Sequence, residues 1–136
     1  MSMTVVESGA ELMRQVISEA YVFVPPTGDV ADRFEKVRAL WDTGATHSQV
    51  TREVAERLGL NEVGCFDVNY GAGKSPSRFY EAGFMVGDIC FRKMYVGECY
   101  GANRFDFVIG MDIISLGRFT LTGSGDERRM EFVMED

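Results

Sequence analysis

Asp42, Thr43 and Gly44 stand in the run Val37-Arg38-Ala39-Leu40-Trp41-Asp42-Thr43-Gly44-Ala45-Thr46-His47-Ser48. This puts a carboxylate just past an apolar stretch, on a turn built from a small hydroxyl residue and a glycine. A lone carboxylate is a poor catalyst of peptide hydrolysis. Two held side by side and sharing one proton supply an acid and a base at once. The chain carries a single copy of the tripeptide. The second carboxylate therefore has to come from another chain, which points to a homodimer with the reacting groups on its two-fold axis.

The other chemically capable residues read differently. Asp112, after Gly110 and before an apolar stretch, stands where a helix N-cap belongs. Asp106 opens an apolar run and reads as a turn or edge residue. His47 is the only histidine, so a Ser-His-Asp or Cys-His arrangement would have to use it. Its place just past the turn favours a substrate-side or surface role. Cys65, Cys90 and Cys99 are odd in number and lack metal-type spacing, so they read as reduced thiols filling small gaps in the core. No metal site and no organic cofactor is expected. Met130 and Met134 read as adaptable packing.

Positioning Asp42 needs a strand that ends at it. Phe34 to Trp41 is such a strand, with Val37, Ala39 and Trp41 on one face and Lys36, Arg38 and Leu40 on the other. Tyr21 to Val24 reads as its hairpin partner across the loop at Pro25 to Asp29. A helix follows the turn: Thr51 is its N-cap, Glu53 lies in the first turn, and Gly59 stands at the C-terminal glycine position. Val50 and Ala55 occupy the positions of a hydrophobic staple, and Val54 and Leu58 face the core. Phe66 to Phe79 reads as a mobile hairpin with its tip at Gly71 to Pro76. A strand over Phe79 to Val86 turns at Gly87-Asp88 and returns as Ile89 to Val96. Near the C-terminus Met130, Phe132 and Met134 alternate with Glu131, Val133 and Glu135, the pattern of an edge or interface strand.

The length of 136 residues suits one domain spanning 1–136, with residues 1–20 as an N-terminal extension of open structure, helical or extended. Hydrophobic content of 46% against 26% charged residues fits a soluble globular chain. A net charge of −7 argues against a nucleic-acid surface, which concentrates Lys and Arg. No apolar stretch reaches the ~18 residues of a membrane span, and Glu7 and Glu11 interrupt any signal-peptide core. The expected setting is the cytoplasm, away from membranes.

Asp42-Thr43-Gly44-Ala45 with Ser48, a glycine-rich hairpin, and then Asp106-Phe107-Val108-Ile109-Gly110-Met111-Asp112-Ile113 follow one another in an order that resembles the retropepsin-like aspartic proteases. The Gly-Met-Asp ending is similar to that of cellular and bacterial members. The resemblance covers roughly Tyr21 to Thr122. It implies a mainly β fold: a closed acid-protease barrel with a flap hairpin, one helix after the catalytic turn and a short second helix. It also implies an aspartic endopeptidase that acts on extended peptide or protein substrates as a homodimer. Asp42 would be the catalytic carboxylate, Thr43 the hydroxyl bracing the two turns, and Gly44 a backbone contact to substrate. Ala45, Ile109 and Gly110 would border the substrate, with Ile109 and Gly110 in the strand that supports the catalytic turn, and Gly71, Ala72 and Gly73 would lie in or near the flap. The alternative is a catalytically inactive dimerisation or peptide-binding module of the same fold. Thr46 and His47 replace the acids that viral relatives often carry, so specificity is not inherited. The N-terminal extension would either enlarge the dimer sheet or mask the cleft.

Overall fold

The structure is a computed structural model that describes residues 2–28, 31–70 and 73–135, apart from the side chains of Met13 and Tyr70. Its strands in chain order begin with β1 (Ser2–Ser8), β2 (Ile17–Phe23), β3 (Phe34–Trp41) and β4 (Gln49–Thr51). Helix α1 (Arg52–Leu58) leads to β5 (Asn61–Tyr70), β6 (Gly73–Val86), β7 (Ile89–Cys99) and β8 (Phe107–Ile109). Helix α2 (Met111–Ile114), β9 (Arg118–Thr122) and β10 (Arg129–Glu135) complete the order.

Alternation builds β3 as its sequence predicts: Val37, Ala39 and Trp41 are buried, while Lys36 and Arg38 are exposed. β2 lies antiparallel to β3 from Ile17↔Leu40 to Phe23↔Phe34. On its other side β3 runs parallel to β8, with Trp41 opposite Ile109. β8 then pairs with β4, β4 with β7, and β7 with β6. β6 returns to β2 through Ala20↔Val86, which closes a barrel of six strands. Closure removes the open edges that would otherwise recruit other chains.

Phe84 and Phe107 stack inside the barrel at a centroid distance of 4.1 Å. Trp41, the last residue of β3, packs against Phe132 at 5.1 Å and Phe119 at 5.6 Å. Its indole N–H donates to the buried Ser18 hydroxyl at 2.9 Å, so the polar edge of the ring is satisfied inside the core. Phe119 and Phe132 belong to a separate three-stranded sheet in the order β1-β10-β9. Val5, Met130 and Phe132 join the barrel residues in one buried cluster.

That sheet corrects one expectation. The C-terminal strand is central, flanked by β1 and β9 of its own chain, and not an edge strand. Its apolar face is spent on the core, where Met130 and Phe132 are fully buried. The open part of the N-terminal extension is extended over Ser2–Ser8, followed by a 3-10 turn at Ala10–Met13. Local pattern cannot reveal either pairing, because β1 and β10 lie at opposite ends of the chain.

Helix α1 starts and stops where its end signals lie. The Thr51 hydroxyl accepts from the Val54 N–H at 3.5 Å. Gly59 takes the left-handed conformation with φ 69° that ends the helix. Both staple residues, Val50 and Ala55, are buried. The hairpin of β5 and β6 is longer than its glycine content suggests. Strand pairing runs to Tyr70↔Gly73, so Lys74 to Pro76 lie within β6 and not in a tip.

Phe107 is the buried first residue of β8, the strand that supports the Asp42 turn. Phe107→Ala should lower stability by about 3–5 kcal/mol, from lost burial plus an unfilled cavity. Urea unfolding followed by tryptophan fluorescence measures it.

Candidate active site

The Asp42 turn is fixed by its own backbone. Asp42 N–H donates to the Ile109 carbonyl at 2.9 Å, and Ala45 N–H donates to the Asp42 carbonyl at 3.2 Å. Gly44 N–H donates to Asp42 Oδ1 at 2.8 Å, which orients the carboxylate. A side chain at position 44 would begin only 3.2 Å from that same oxygen. Asp42 is half-buried, while Thr43 and Gly44 are exposed. The Thr43 hydroxyl makes no hydrogen bond among the described residues.

A second set of bonds clamps the far end of the loop. Met111 N–H donates to the Ala45 carbonyl at 2.8 Å. The fully buried Ser48 hydroxyl accepts from Gly110 N–H at 3.1 Å and donates to Asp112 Oδ1 at 2.7 Å. Ser48 N–H reaches Asp112 Oδ2 at 2.9 Å. Gly110 is required by this approach: a Cβ there would sit 2.6 Å from the His47 carbonyl carbon and 2.9 Å from the Ala45 oxygen.

Two expectations change. Ile109 and Gly110 are buried behind the turn and support it, and neither lines a groove that reaches Asp42. Asp112 is not the N-cap of α2, a position held by Gly110. Its carboxylate instead receives the Ser48 N–H and hydroxyl and its neighbour's Ile113 N–H at 2.9 Å. Ser48 belongs to the motif that carries the resemblance, and the fold adds its role: it ties the turn to Gly110 and Asp112.

Two grooves meet at Asp42 and Gln49. The first, of about 620 Å³, is lined by Leu40, Glu53, Glu98, Tyr100, Phe105 and the β6 residue Ser77. The second, of about 510 Å³, is lined by Ala45, His47, Phe66, Val68, Asn69 and Phe79. The β5–β6 hairpin therefore contributes walls to both. His47 meets Phe79 edge-on at 5.3 Å, and Phe79 meets Phe66 at 5.5 Å. Gly73 lies in this hairpin but lines neither groove. Gly71 and Ala72 lie outside the described residues.

Charge in the first groove is organised around Glu98. Arg52 donates to Glu98 Oε1 at 2.9 Å, and the Tyr80 hydroxyl donates to Oε2 at 2.6 Å. Burial alone would raise the Glu98 pKa, but these two hydrogen bonds outweigh it and hold the carboxyl below its usual range. Burial, followed by the bond to Glu98, pushes the Tyr80 phenol up to about 12. Cys99 next door is pushed up to about 12, first by burial and then by the charges of Glu53, Glu98 and Asp106. It is a poor nucleophile. Cys65 and Cys90 are exposed and therefore do not fill the core as expected. Among the described residues no group of three or more His, Cys, Asp or Glu side chains is arranged to hold a metal. Among the described residues no helix is long and apolar enough to cross a membrane.

A closed barrel carrying Asp-Thr-Gly on a turn braced by a buried Ile-Gly strand end defines an acid-protease fold. The sequence profile of the aspartyl protease family matches residues 27–113, well over half of the chain, and the chain belongs to that family. Among solved structures, a retropepsin-like aspartic protease from Rickettsia conorii aligns with a TM-score of 0.60 at 14% identity. The alignment covers 99% of this chain and 95% of that one, and the fold is retropepsin-like. A Legionella pneumophila protein of unknown function, Lpg0085, aligns with a TM-score of 0.42 at 13% identity over 73% of this chain and 83% of its own. No curated protein sequence matches the chain.

Ser48→Ala should cost about 1–3 kcal/mol, because it leaves the Gly110 N–H and the Asp112 carboxylate each short of a partner. Denaturant unfolding beside Thr46→Ala, an exposed control, checks it. Glu98 predicts a pH effect. A carboxyl held below its ordinary value of 4.5 contributes stability that is full above that value and is lost as pH falls through the lowered one. Glu98→Gln should flatten the acid side of the stability profile, measured by thermal unfolding at stepped pH.

Proposed function

We propose that this protein is an aspartic endopeptidase that hydrolyses extended peptides with a water activated between two Asp42 carboxylates, one from each subunit of a homodimer. The observation that carries this reading is the seat of Asp42: a half-buried carboxylate where two grooves meet, on a turn clamped at both ends.

Two carboxylates about 3 Å apart do not both ionise cheaply, so the pair shares a proton. The ionised member takes a proton from the water as it attacks the peptide carbonyl. The protonated member donates to the carbonyl oxygen. Thr43 supports the dimer, since its exposed hydroxyl is free to donate to the partner's turn while accepting in return. Met111 and Leu116, exposed just after Gly110, supply apolar surface beside that turn. The outer edges of β1 and β9, unpaired among the described residues, offer two further contacts. Both edges of β10 are occupied, so an interleaved dimer sheet cannot use that strand without displacing its own neighbours.

Substrate would lie in the grooves under the β5–β6 hairpin, its backbone paired with strand edges near Gly44 and Ala45. Closure of the hairpin would exclude water from the reaction. The exposed thiols of Cys65 and Cys90 suit a reducing compartment, and we place the activity in the cytoplasm.

Asp42→Asn should abolish hydrolysis of a quenched fluorescent peptide library while leaving a folded dimer by sedimentation and circular dichroism. Wild-type turnover in that variant refutes the mechanism. Activity should peak below neutral pH, because one member of the pair must hold a proton. A rate that rises steadily to pH 9 contradicts the shared proton.

A further inference from the structure

We propose that the groove on the α1 side of Asp42 is a subsite for a basic side chain of the substrate, with Glu53 as its counter-ion and Tyr100 as its aromatic wall. This specificity rests on the peptidase reading above and adds to it the class of residue recognised.

The groove has room for a long side chain at about 620 Å³ and opens directly onto Asp42. Its carboxylates are Asp42, Glu53 and Glu98, and its one cation is Arg52. Arg52 is already held by Glu98, so that pair cancels. The other guanidinium groups nearby are also engaged, Arg57 with Glu35, Arg38 with Asp106 and Arg78 with Glu62. Glu53 has no ion pair or hydrogen bond among the described residues. Its charge at the wall of the groove is offset only through space by Arg57, which Glu35 already pairs.

Tyr100 supplies the second feature. It is 83% exposed, the highest exposure among the described large apolar side chains, yet it borders the groove. An aromatic face beside a carboxylate is a favourable seat for an ammonium or guanidinium group. The turn after Tyr100 holds it there by an unusual backbone: Ala102 and Asn103 both lie in the left-handed region, with φ 50° and 62°. Arg38 Nη1 donates to the Asn103 carbonyl at 3.1 Å and pins that turn to β3. Non-glycine residues in this conformation gather at functional sites, because the surroundings must enforce them. An acidic side chain would be repelled here. A bulky apolar one finds a better match in the second groove, among Phe66, Val68 and Phe79.

The test uses the Asp42→Asn protein, which binds without turnover, and extended peptides identical except for lysine, norleucine or glutamate at each position in turn. Fluorescence anisotropy should show the lysine peptide binding about tenfold more tightly than the norleucine peptide at one position. Adding Glu53→Gln should erase most of that ratio, and Glu53→Lys should invert it toward glutamate. Equal binding of lysine and norleucine peptides at every position overturns the subsite. So does a lysine preference that Glu53→Lys leaves untouched, or a failure to bind any peptide. Hydrolysis by the wild-type chain is scored separately. A Glu53-dependent lysine preference without any Asp42-dependent cleavage would refute the peptidase and keep the subsite, whereas cleavage without the preference would do the reverse.

Discussion

Asp42 N–H donates to the Ile109 carbonyl at the last rung of the parallel β3–β8 pair, and beyond that rung the two chains separate. One enters the loop that holds the carboxylate; the other enters α2. They are tied again at Met111 N–H to the Ala45 carbonyl and through Ser48 between Gly110 and Asp112. The segment from Asp42 to Ser48 is thus a short backbone loop fastened at both ends to one neighbouring strand and helix. Catalytic geometry tolerates about 0.5 Å of error, and a loop fastened only once would not hold it. The close approach also explains the glycine at 110. It is a demand for space, since its backbone is extended with φ −97°.

This clamp depends in turn on what lies beneath it. Trp41 is the residue before Asp42, and its ring is wedged between Phe119 and Phe132 of the second sheet. The three-stranded sheet therefore acts as the floor of the Asp42 turn and is more than a decoration on a finished barrel. Ser18 fixes the ring's orientation from β2, so three separate parts of the chain meet at one side chain. Phe107, stacked on Phe84, holds β8 from inside the barrel. Loss of packing at either ring would reach Asp42 through one peptide unit or one strand rung.

Local signals carried the parts of this design that local physics decides. The alternation of β3, the capping residues of α1 and the turn at Gly87-Asp88 are short-range properties, and each is legible in the chain. The Asp42 turn was legible for the same reason. Long-range choices were not. Nothing near Met130 says that β1 and β9 will flank β10, and an alternating strand with one apolar face fits an edge as well as a centre. Asp112 shows the same limit within the site. A carboxylate before an apolar run reads as a cap, and only the fold brings Ser48, 64 positions away in sequence, against it. Cys65 and Cys90 mislead differently, because a thiol's usual burial is a statistical habit with no force at a given place.

In the homodimer we propose, a site with one carboxylate per chain would make activity a property of assembly, with turnover and dimer concentration linked by mass action. Two-fold symmetry would have a further consequence for recognition. Each groove would recur on the partner's side of the axis, so a substrate would meet two copies of the Glu53 groove and two of the Phe79 groove. A peptide has direction and no such symmetry. Its residues on either side of the cleaved bond would therefore have to fit chemically identical grooves in different backbone contexts. Discrimination would then come from which groove copy each side chain can reach, and the clamp at Ile109 and Ser48 would set that reach by fixing where the cleaved bond lies.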